Sequence, residues 1–307
     1  MRLKIWGVRG SMPVPGGSTV RYGGNTPCIQ IETEAPQGTP DRPYLIFDAG
    51  SGIRVLGNRI ASEIPDGKPI EIYLLLTHVH WDHIQGLPFF KPLYRTGARI
   101  HLYGPDRPSL EVALKDQMSP ERFPVAWTDV PSCVEFGELK DPPLRAGTVS
   151  VRHHYVNHGT QGAVVGYRAD TEDGAVVFIP DNEPLDYTPG GPIGPKDSDA
   201  GDETNRLIEF VSGADVMLFD TMYAEEEYED YRGWGHGTAE YAIHVAARAG
   251  VKRLGLFHYA PIRTDDDIDR MLVAARKQGN EMGVSVFASR EGMILEIGAK
   301  GAARGRE

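Results

Sequence analysis

The hydrophobic positions in the first half of the chain fall in short runs separated by Gly, Pro and Asp residues. The runs are rich in β-branched and aromatic residues and are bounded by turn formers, which predicts strands. The predicted strands cover residues 3–8, 28–33, 44–50 and 70–78. Apolar residues at helical spacing predict helices at 52–64 and 109–118, and a short helix at 87–94.

The same alternation of strands and helices begins again after residue 147. The predicted strands cover residues 148–156, 163–169, 175–181, 216–223, 253–261, 285–289 and 293–297. The predicted helices cover residues 203–213, 238–250 and 264–279, and the last of them starts from a Thr/Asp cap. Two batches of strands, each followed by helices, favour an α/β fold with two sheets face to face and helices outside. We therefore expect a four-layer αββα sandwich.

The domain organisation that follows from this pattern is simple. We expect residues 1–307 to form a single domain. Residues 183–202 show no periodicity and are dense in Gly, Pro and Asp, so they are expected to form a long loop. The small, polar residues 298–307 are expected to be a frayed tail.

Composition and charge restrict the classes of partner. The formal net charge of −11 gives no global attraction to nucleic acid or to an anionic membrane. No apolar run approaches the roughly 18 residues of a membrane span, and the N-terminus does not resemble a secretory signal. The two cysteines are too few for a disulfide framework and are interpreted as reduced thiols of a cytoplasmic protein.

Three histidines and an aspartate crowd into residues 78–83, HVHWDH, directly after the apolar run IYLLL. Residues at i and i+2 of a strand point the same way, so His78 and His80 should project together from the strand end. If the chain turns there, Asp82 and His83 can reach a point about 3–4 Å away, the separation of a two-metal site. Imidazole and carboxylate together suit zinc, manganese or iron.

The heptapeptide THVHWDH resembles the HxHxDH motif of the metallo-β-lactamase superfamily, and the resemblance extends over nearly the whole chain. It implies the αββα sandwich and two divalent metal ions, with zinc expected and manganese or iron as alternatives. By resemblance, the first metal takes His78, His80 and His158, the second takes Asp82, His83 and His258, and Asp181 bridges both. Pro180 and Asn182 stand where the superfamily usually has Gly and Thr around the bridging aspartate.

The stretch GWGHGTAEYAIHVAARAGVKRLGLFHYAP resembles the phosphodiesterase branch of that superfamily. This branch includes the tRNA 3′-processing endonuclease and class II cyclic-nucleotide phosphodiesterases. The resemblance makes His236 the proton donor to the leaving oxygen and Asp220 the carboxylate that orients it, since a carboxylate-held imidazole can carry a proton at neutral pH. Asp82 is expected to be catalytic as well as a metal ligand.

A supporting set of residues surrounds the predicted ligands. Residues 7–28 resemble the N-terminal signature of a large bacterial group of metal-dependent hydrolases, in which Asn25 would support the metal shell. Asp48 matches a family position that fixes a ligand histidine, and Thr77 is assigned to the same set. Trp81 is expected to shape the pocket floor or to belong to the core. Structural roles are expected for His101, His153, His154 and His244.

The leading functional hypothesis is a dinuclear phosphodiesterase for a small substrate such as a cyclic nucleotide. Residues 106–150 hold five Lys/Arg against eight Asp/Glu, which disfavours a basic RNA-binding arm, so tRNA processing is the weaker alternative. A lactonase or thioesterase on the same centre stays open, whereas the complete ligand set disfavours a binding or sensor protein. His80, in place of an acidic residue, argues against the oxygen-reducing flavodiiron branch. A homodimer is considered because residues 87–94 could face a partner.

Overall fold

The computed structural model describes residues 1–33, 37–140, 142–159, 162–185, 187 and 199–298, which form two seven-stranded sheets. The strands are β1 Arg2–Gly7, β2 Cys28–Glu32, β3 Tyr44–Phe47, β4 Ile70–Leu75, β5 Ala98–Tyr103, β6 Cys133–Phe136, β7 Leu144–Ala146, β8 Val149–Val156, β9 Val164–Thr171, β10 Gly174–Ile179, β11 Val216–Asp220, β12 Arg253–Phe257, β13 Ser285–Ala288 and β14 Ile294–Glu296. The helices are α1 Ile53–Glu63, α2 Trp81–Ile84, α3 Arg107–Gln117, α4 Asp199–Val211, α5 Ala239–Ala249 and α6 Asp265–Met282.

The strand order brings several strand ends to one edge of the molecule. The first sheet runs β14-β1-β2-β3-β4-β5-β6, and its last four strands are parallel. The second sheet runs β13-β12-β11-β10-β9-β8-β7, and β10 to β13 are parallel. Because parallel strands end at the same edge of a sheet, the residues that follow β3 and β4 are neighbours in the first sheet, and those that follow β10, β11 and β12 are neighbours in the second. The two edges meet where His83 approaches Asp181.

Two hydrophobic clusters divide the core into layers. The inner cluster joins the sheets, and the ring of Phe47 stacks on Tyr167 of the second sheet with centroids 5.2 Å apart. In the outer cluster, Ile72 and Leu74 of β4 pack with Leu56 of α1. Helix α5 packs against β11 and β12 on the other side. These layers and the family comparison below confirm the αββα sandwich.

Helices α5 and α6 begin at the caps that the sequence indicates, whereas α4 begins four residues earlier than predicted and α6 ends three residues later. The Thr238 side chain accepts the Tyr241 N–H at the start of α5, and Thr264 forms a capping box with Asp267 at the start of α6. Gly250, which ends α5, has a φ of 65°, a left-handed conformation that glycine adopts without strain.

Three strands were not predicted, and several boundaries differ. Strand β5 alternates apolar with charged residues, β7 has three residues, and β6 lies at a sheet edge, so none carries a strong apolar run. The helix predicted at 87–94 is two 3₁₀ turns, Leu87–Phe89 and Lys91–Tyr94, because Pro88 and Pro92 interrupt helical hydrogen bonding. Most of this stretch is core and Phe89 is its exposed apolar side chain.

The expected loop at 183–202 is shorter than the sequence indicated, because α4 already begins at Asp199. The rest of that loop lies outside the described residues, apart from 183–185 and 187, and so does the expected tail beyond residue 298. The single domain, the homodimer and the cytoplasmic location stay predictions. In the part of the chain that the structure describes, no helix has the length and apolar character to cross a membrane.

Candidate metal centre

The segment that follows β4 carries four chemically active side chains over six residues. His78 lies just past the strand, and His80, in an extended conformation, precedes the single turn of α2. That turn places Asp82 and His83 in the interior, whereas His80 stays exposed. The rings of His78 and His83 lie 4.2 Å apart between centroids, so the strand end and the helical turn converge on one point.

A first cluster of nitrogens forms where this segment meets the end of β8. His78, His80 and His158 each offer a ring nitrogen, and the three atoms lie within 4.8 Å of one another. His158 Nε2 is 3.1 Å from His80 Nδ1. His158 Nδ1 donates to the Gly235 carbonyl at 2.6 Å, which fixes the tautomer and leaves the Nε2 lone pair directed at the cluster.

A second cluster forms where α2 meets the end of β12. Asp82, His83 and His258 have ligand atoms within 4.8 Å of one another, and Asp82 Oδ2 is 3.1 Å from His83 Nε2 and 3.2 Å from His258 Nε2. The Ser11 N–H donates to the same Asp82 oxygen at 2.8 Å. His258 has a φ of 61°, a left-handed conformation that a non-glycine residue rarely adopts and that often marks a functional position.

Asp181 lies between the two clusters, at the end of β10. Its Oδ2 is 3.1 Å from His83 Nε2, and its Oδ1 is 3.6 Å from His258 Nε2 and 3.7 Å from His158 Nε2. The carboxylate therefore faces both clusters, which is the position that a bridging ligand requires.

The atoms that face the centre fit divalent cations. His78 Nε2, His83 Nε2 and Asp181 Oδ2 are buried and have no hydrogen bond of acceptable geometry to any described residue. Buried polar atoms are normally paired, and a cation satisfies converging lone pairs that cannot satisfy one another. Histidine nitrogens and carboxylate oxygens suit zinc, with manganese or iron as alternatives.

The pKa shifts at the centre follow from burial and from the charges that face each group. Burial opposes the protonation of His83, but the carboxylates of Asp82, Asp181 and Asp48 hold its pKa well above the usual value. Burial lowers the pKa of His78 well below its usual value, which favours the neutral, ligating imidazole. Burial opposes the ionisation of Asp181, but the neighbouring His258, His83 and His78 hold its pKa well below the usual range. Asp82 behaves in the same way, since His83 and His258 outweigh burial and lower its pKa.

His236 and Asp220 form a buried pair beside the centre. His236 Nδ1 lies 2.8 Å from Asp220 Oδ2, and Asp220 also accepts the backbone N–H groups of Asn182 and Met222. Burial raises the pKa of Asp220 and lowers that of His236. His236 Nδ1 is 3.7 Å from Asp181 Oδ1, so distances alone also admit metal-binding sets that contain His236.

The supporting residues lie at different distances from the centre. Asp48, fully buried, contacts His83 Nδ1 at 2.8 Å and accepts the Thr77 N–H at 2.8 Å. Asn25 lies further out: its Nδ2 donates to Glu291 Oε2 at 2.8 Å and its Oδ1 accepts the Ser51 hydroxyl at 2.9 Å. Through its backbone carbonyl, Asn25 accepts two N–H groups of the loop that leads to Ser11.

Trp81 is 60% exposed, which excludes the core alternative, and it does not line the cleft beside the centre, so the expected place at the pocket floor is wrong as well. Sequence reasoning also missed the aromatic wall of the cleft beside the centre. A cavity of about 410 Å³ opens onto His80, His158 and His236. Its wall includes Met222, Tyr223, Tyr231, Trp234 and Ile262. The signal for Trp234 was its place between two glycines just before His236. The sequence also carried no sign that Glu183 supports the site, because this residue begins the segment expected to be a loop.

Comparison with known proteins identifies a family that is consistent with the fold and with the candidate metal centre. The sequence profile described as "Beta-lactamase superfamily domain" matches residues 44–259. A ribonuclease Z of Haloarcula marismortui is 26% identical over 273 residues, which cover 76% of this chain and 83% of the relative.

Two solved structures show the same fold. A diphosphatase of the PhnP family is 18% identical with a TM-score of 0.64, and the match covers 96% of this chain and 97% of that chain. Unliganded yeast PDE1 is 14% identical with a TM-score of 0.64, and the match covers 95% and 98%.

Proposed function

The chain belongs to the beta-lactamase superfamily and is a metal-dependent hydrolase, and on that premise we propose that it is a dinuclear phosphodiesterase for small substrates. The observation that carries the proposal is the His236–Asp220 pair, 2.8 Å apart, in which His236 lines the cleft beside the candidate metal centre and Asp220 is buried behind it. Phosphodiester hydrolysis needs a proton at a poor alkoxide leaving group, and such a pair can deliver it.

The proposed ligands divide as the two clusters do. The first metal would be held by His78, His80 and His158, the second by Asp82, His83 and His258, and Asp181 would bridge them. The bound ions would supply Lewis-acid stabilisation of the phosphoryl oxygens and an activated water. The Ser11 N–H donates to Asp82 and keeps its carboxylate in place. Asp48 contacts His83 Nδ1 and in this way orients the His83 ring.

His236 is proposed to protonate the leaving oxygen. Its Nδ1 faces Asp220, so the Nε2 edge of the ring is the one available to a substrate in the cleft. The backbone N–H groups of Asn182 and Met222 fix the Asp220 carboxylate, and Asp220 in turn fixes the plane of the imidazole. A positioned acid of this kind typically contributes on the order of 10²–10⁴ in rate.

The cleft favours a small diester with an apolar or flat aromatic substituent, for example a cyclic nucleotide. Its volume of about 410 Å³ is in the range of small-molecule sites. Tyr231 and Trp234 line it, and no lysine or arginine does so among the residues that the structure describes. An aromatic wall can stack a base, whereas a polyanionic strand would need basic side chains.

Two alternatives differ in the substrate. The ribonuclease Z relative favours RNA 3′ processing, but residues 106–150 are acidic and supply α3, β6 and β7 to the body of the fold. A lactonase or thioesterase would use the same metal centre, but its leaving group needs less help from an acid such as His236.

A parallel assay separates these activities. Metal-loaded protein would be tested on bis(p-nitrophenyl) phosphate, a cyclic nucleotide, a tRNA precursor with a 3′ trailer, a lactone and a thioester, with metal content measured on the same sample. We expect the two small diesters to be hydrolysed fastest. Faster cleavage of the tRNA precursor would replace the small-substrate proposal, and activity on the lactone or thioester alone would replace the phosphodiesterase.

A further inference from the structure

Glu183 anchors the glycine-rich segment that precedes His236. Its Oε1 accepts the Gly233 N–H at 2.5 Å and its Oε2 accepts the Gly235 N–H at 2.8 Å. The residue is buried, so these are charge-assisted hydrogen bonds that a carboxylate shielded from water accepts. Both oxygens of one side chain thus hold two backbone groups of one short loop.

Glu183 is itself held from the opposite side. Its N–H donates to the Asn157 carbonyl at 2.7 Å, and its carbonyl accepts Asn157 Nδ2 at 2.8 Å. Asn157 immediately precedes His158, and Glu183 lies two residues after Asp181. Through its backbone and its carboxylate, Glu183 therefore connects three segments, and each segment carries one of the residues placed at the centre.

The anchored loop acts on the site at two points. The Gly235 carbonyl accepts the His158 Nδ1–H at 2.6 Å, and the next residue is His236. Gly233 and Gly235 both have a φ of 90°, which side-chain-bearing residues rarely adopt, and a Cβ on Gly235 would lie 2.6 Å from His158 Nδ1. Glycine-rich backbone is costly to order, so such a loop depends on its anchors.

We propose that Glu183 is a positioning residue that sets the orientation of His158 toward the metal and the place of His236 beside the cleft. It acts through the backbone of Gly235 and does not touch the proposed metals or substrate. The His236 part rests on the proposed function, whereas the His158 part requires only metal binding.

The first test measures metal binding without a substrate. Apoprotein carrying Glu183→Ala or Glu183→Gln would be titrated with Zn²⁺ and Co²⁺. One of the two binding steps should weaken by about 10–100-fold in Glu183→Ala, as is typical for residues that orient a ligand. Glu183→Gln keeps one acceptor oxygen and should lie between wild type and Glu183→Ala.

A matched control separates positioning from loss of stability. Glu32 is also buried, pairs with Lys4 Nζ at 3.0 Å on the first sheet, and has no role at the centre. Glu32→Gln should lower the melting temperature and leave both metal-binding steps unchanged. If the Glu183 variants change only the melting temperature, as Glu32→Gln does, the proposal is overturned.

The second test asks whether Glu183 also acts through His236. Glu183→Ala should lower kcat more for a diester with an alkyl leaving group than for a p-nitrophenyl diester. In a His236→Ala background this extra loss should disappear. A fully additive double variant would overturn the His236 part. If the wild type cleaves no phosphodiester, the proposed function fails, while the metal titration still decides the His158 part.

Discussion

The two sheets supply the centre in different ways. The first sheet delivers His78, His80, Asp82 and His83 from one continuous segment at the end of β4. The second sheet delivers single residues, each from the end of a different strand: His158, Asp181, Asp220 and His258. Local backbone geometry therefore organises the first set, whereas strand order and register organise the second.

The supports behind the two sets differ in the same way. On the first sheet, a fully buried side chain, Asp48, contacts the proposed ligand His83 directly. On the second sheet, His158 is oriented by the carbonyl of Gly235, whose loop is held in turn by Glu183. The orientation of His158 consequently depends on more intermediate contacts than that of His83. We expect metal binding by the second set to be more sensitive to substitutions of residues that are not ligands.

The largest effect is expected for Asp181→Ala, because this carboxylate faces both sets. We expect the metal content to fall below the roughly two ions per chain of the wild type. Substitution of a residue that only orients a metal ligand typically lowers activity about 10–100-fold, and we expect a larger loss here. Elemental analysis and a diesterase assay on the same sample measure both. Active wild-type protein with one metal ion or none would contradict the dinuclear centre.

His236→Ala should give the next largest effect. We expect kcat to fall by roughly 10²–10⁴ with metal content unchanged, because the lost proton acts only in the transition state. The loss should be large for an alkyl leaving group and small for p-nitrophenolate, and kinetics on both diesters measure the difference.

Asp220→Asn should lower kcat less than His236→Ala and in the same pattern, because the His236 imidazole stays and only the carboxylate that contacts it changes. Equal losses of kcat on both leaving groups would give His236 a binding or structural role instead. Loss of metal from His236→Ala would make His236 a ligand, in agreement with the alternative metal-binding sets.

Asp48→Asn tests the direct support on the first sheet. The amide can no longer accept equally from His83 and Thr77, so one metal-binding step should weaken by about 10–100-fold. Metal titration compares this variant with Glu183→Ala, and Asp66→Asn, at an exposed position, is the control. If either variant weakened both metal-binding steps, Asp48 and Glu183 would not act on separate metal sites.

The smallest effect is expected at the cleft wall. Base–aromatic stacking contributes about 1–3 kcal/mol to binding. Because Trp234 is 67% exposed, we expect a contribution at the lower end of that range. Trp234→Ala should therefore raise KM for a cyclic nucleotide about fivefold. Trp81→Ala removes an indole of similar exposure, 60%, outside the cleft lining and should change KM less. Equal changes would remove the stacking argument for the substrate.

Several features could be predicted because their causes are local. The apolar run before His78 and the Thr264 cap of α6 depend on neighbouring residues alone, and both lie where expected. Strands β5 to β7 were missed because their partners, rather than their own composition, stabilise them. Glu183 carried no signal, since its carboxylate binds backbone groups about 50 positions away.

The sequence by itself determined the sandwich and the candidate ligands of residues 78–83, because hydrophobic periodicity and a motif of six residues are local properties. The candidates His158, Asp181 and His258 came from the resemblance to the superfamily. Only the tertiary structure decided that Asp181 faces both clusters and that Gly235, 77 positions from His158, accepts its N–H. Those distances depend on the register of the second sheet and on the path of a glycine loop. Both are fixed by long-range hydrogen bonds and packing, which no local pattern encodes.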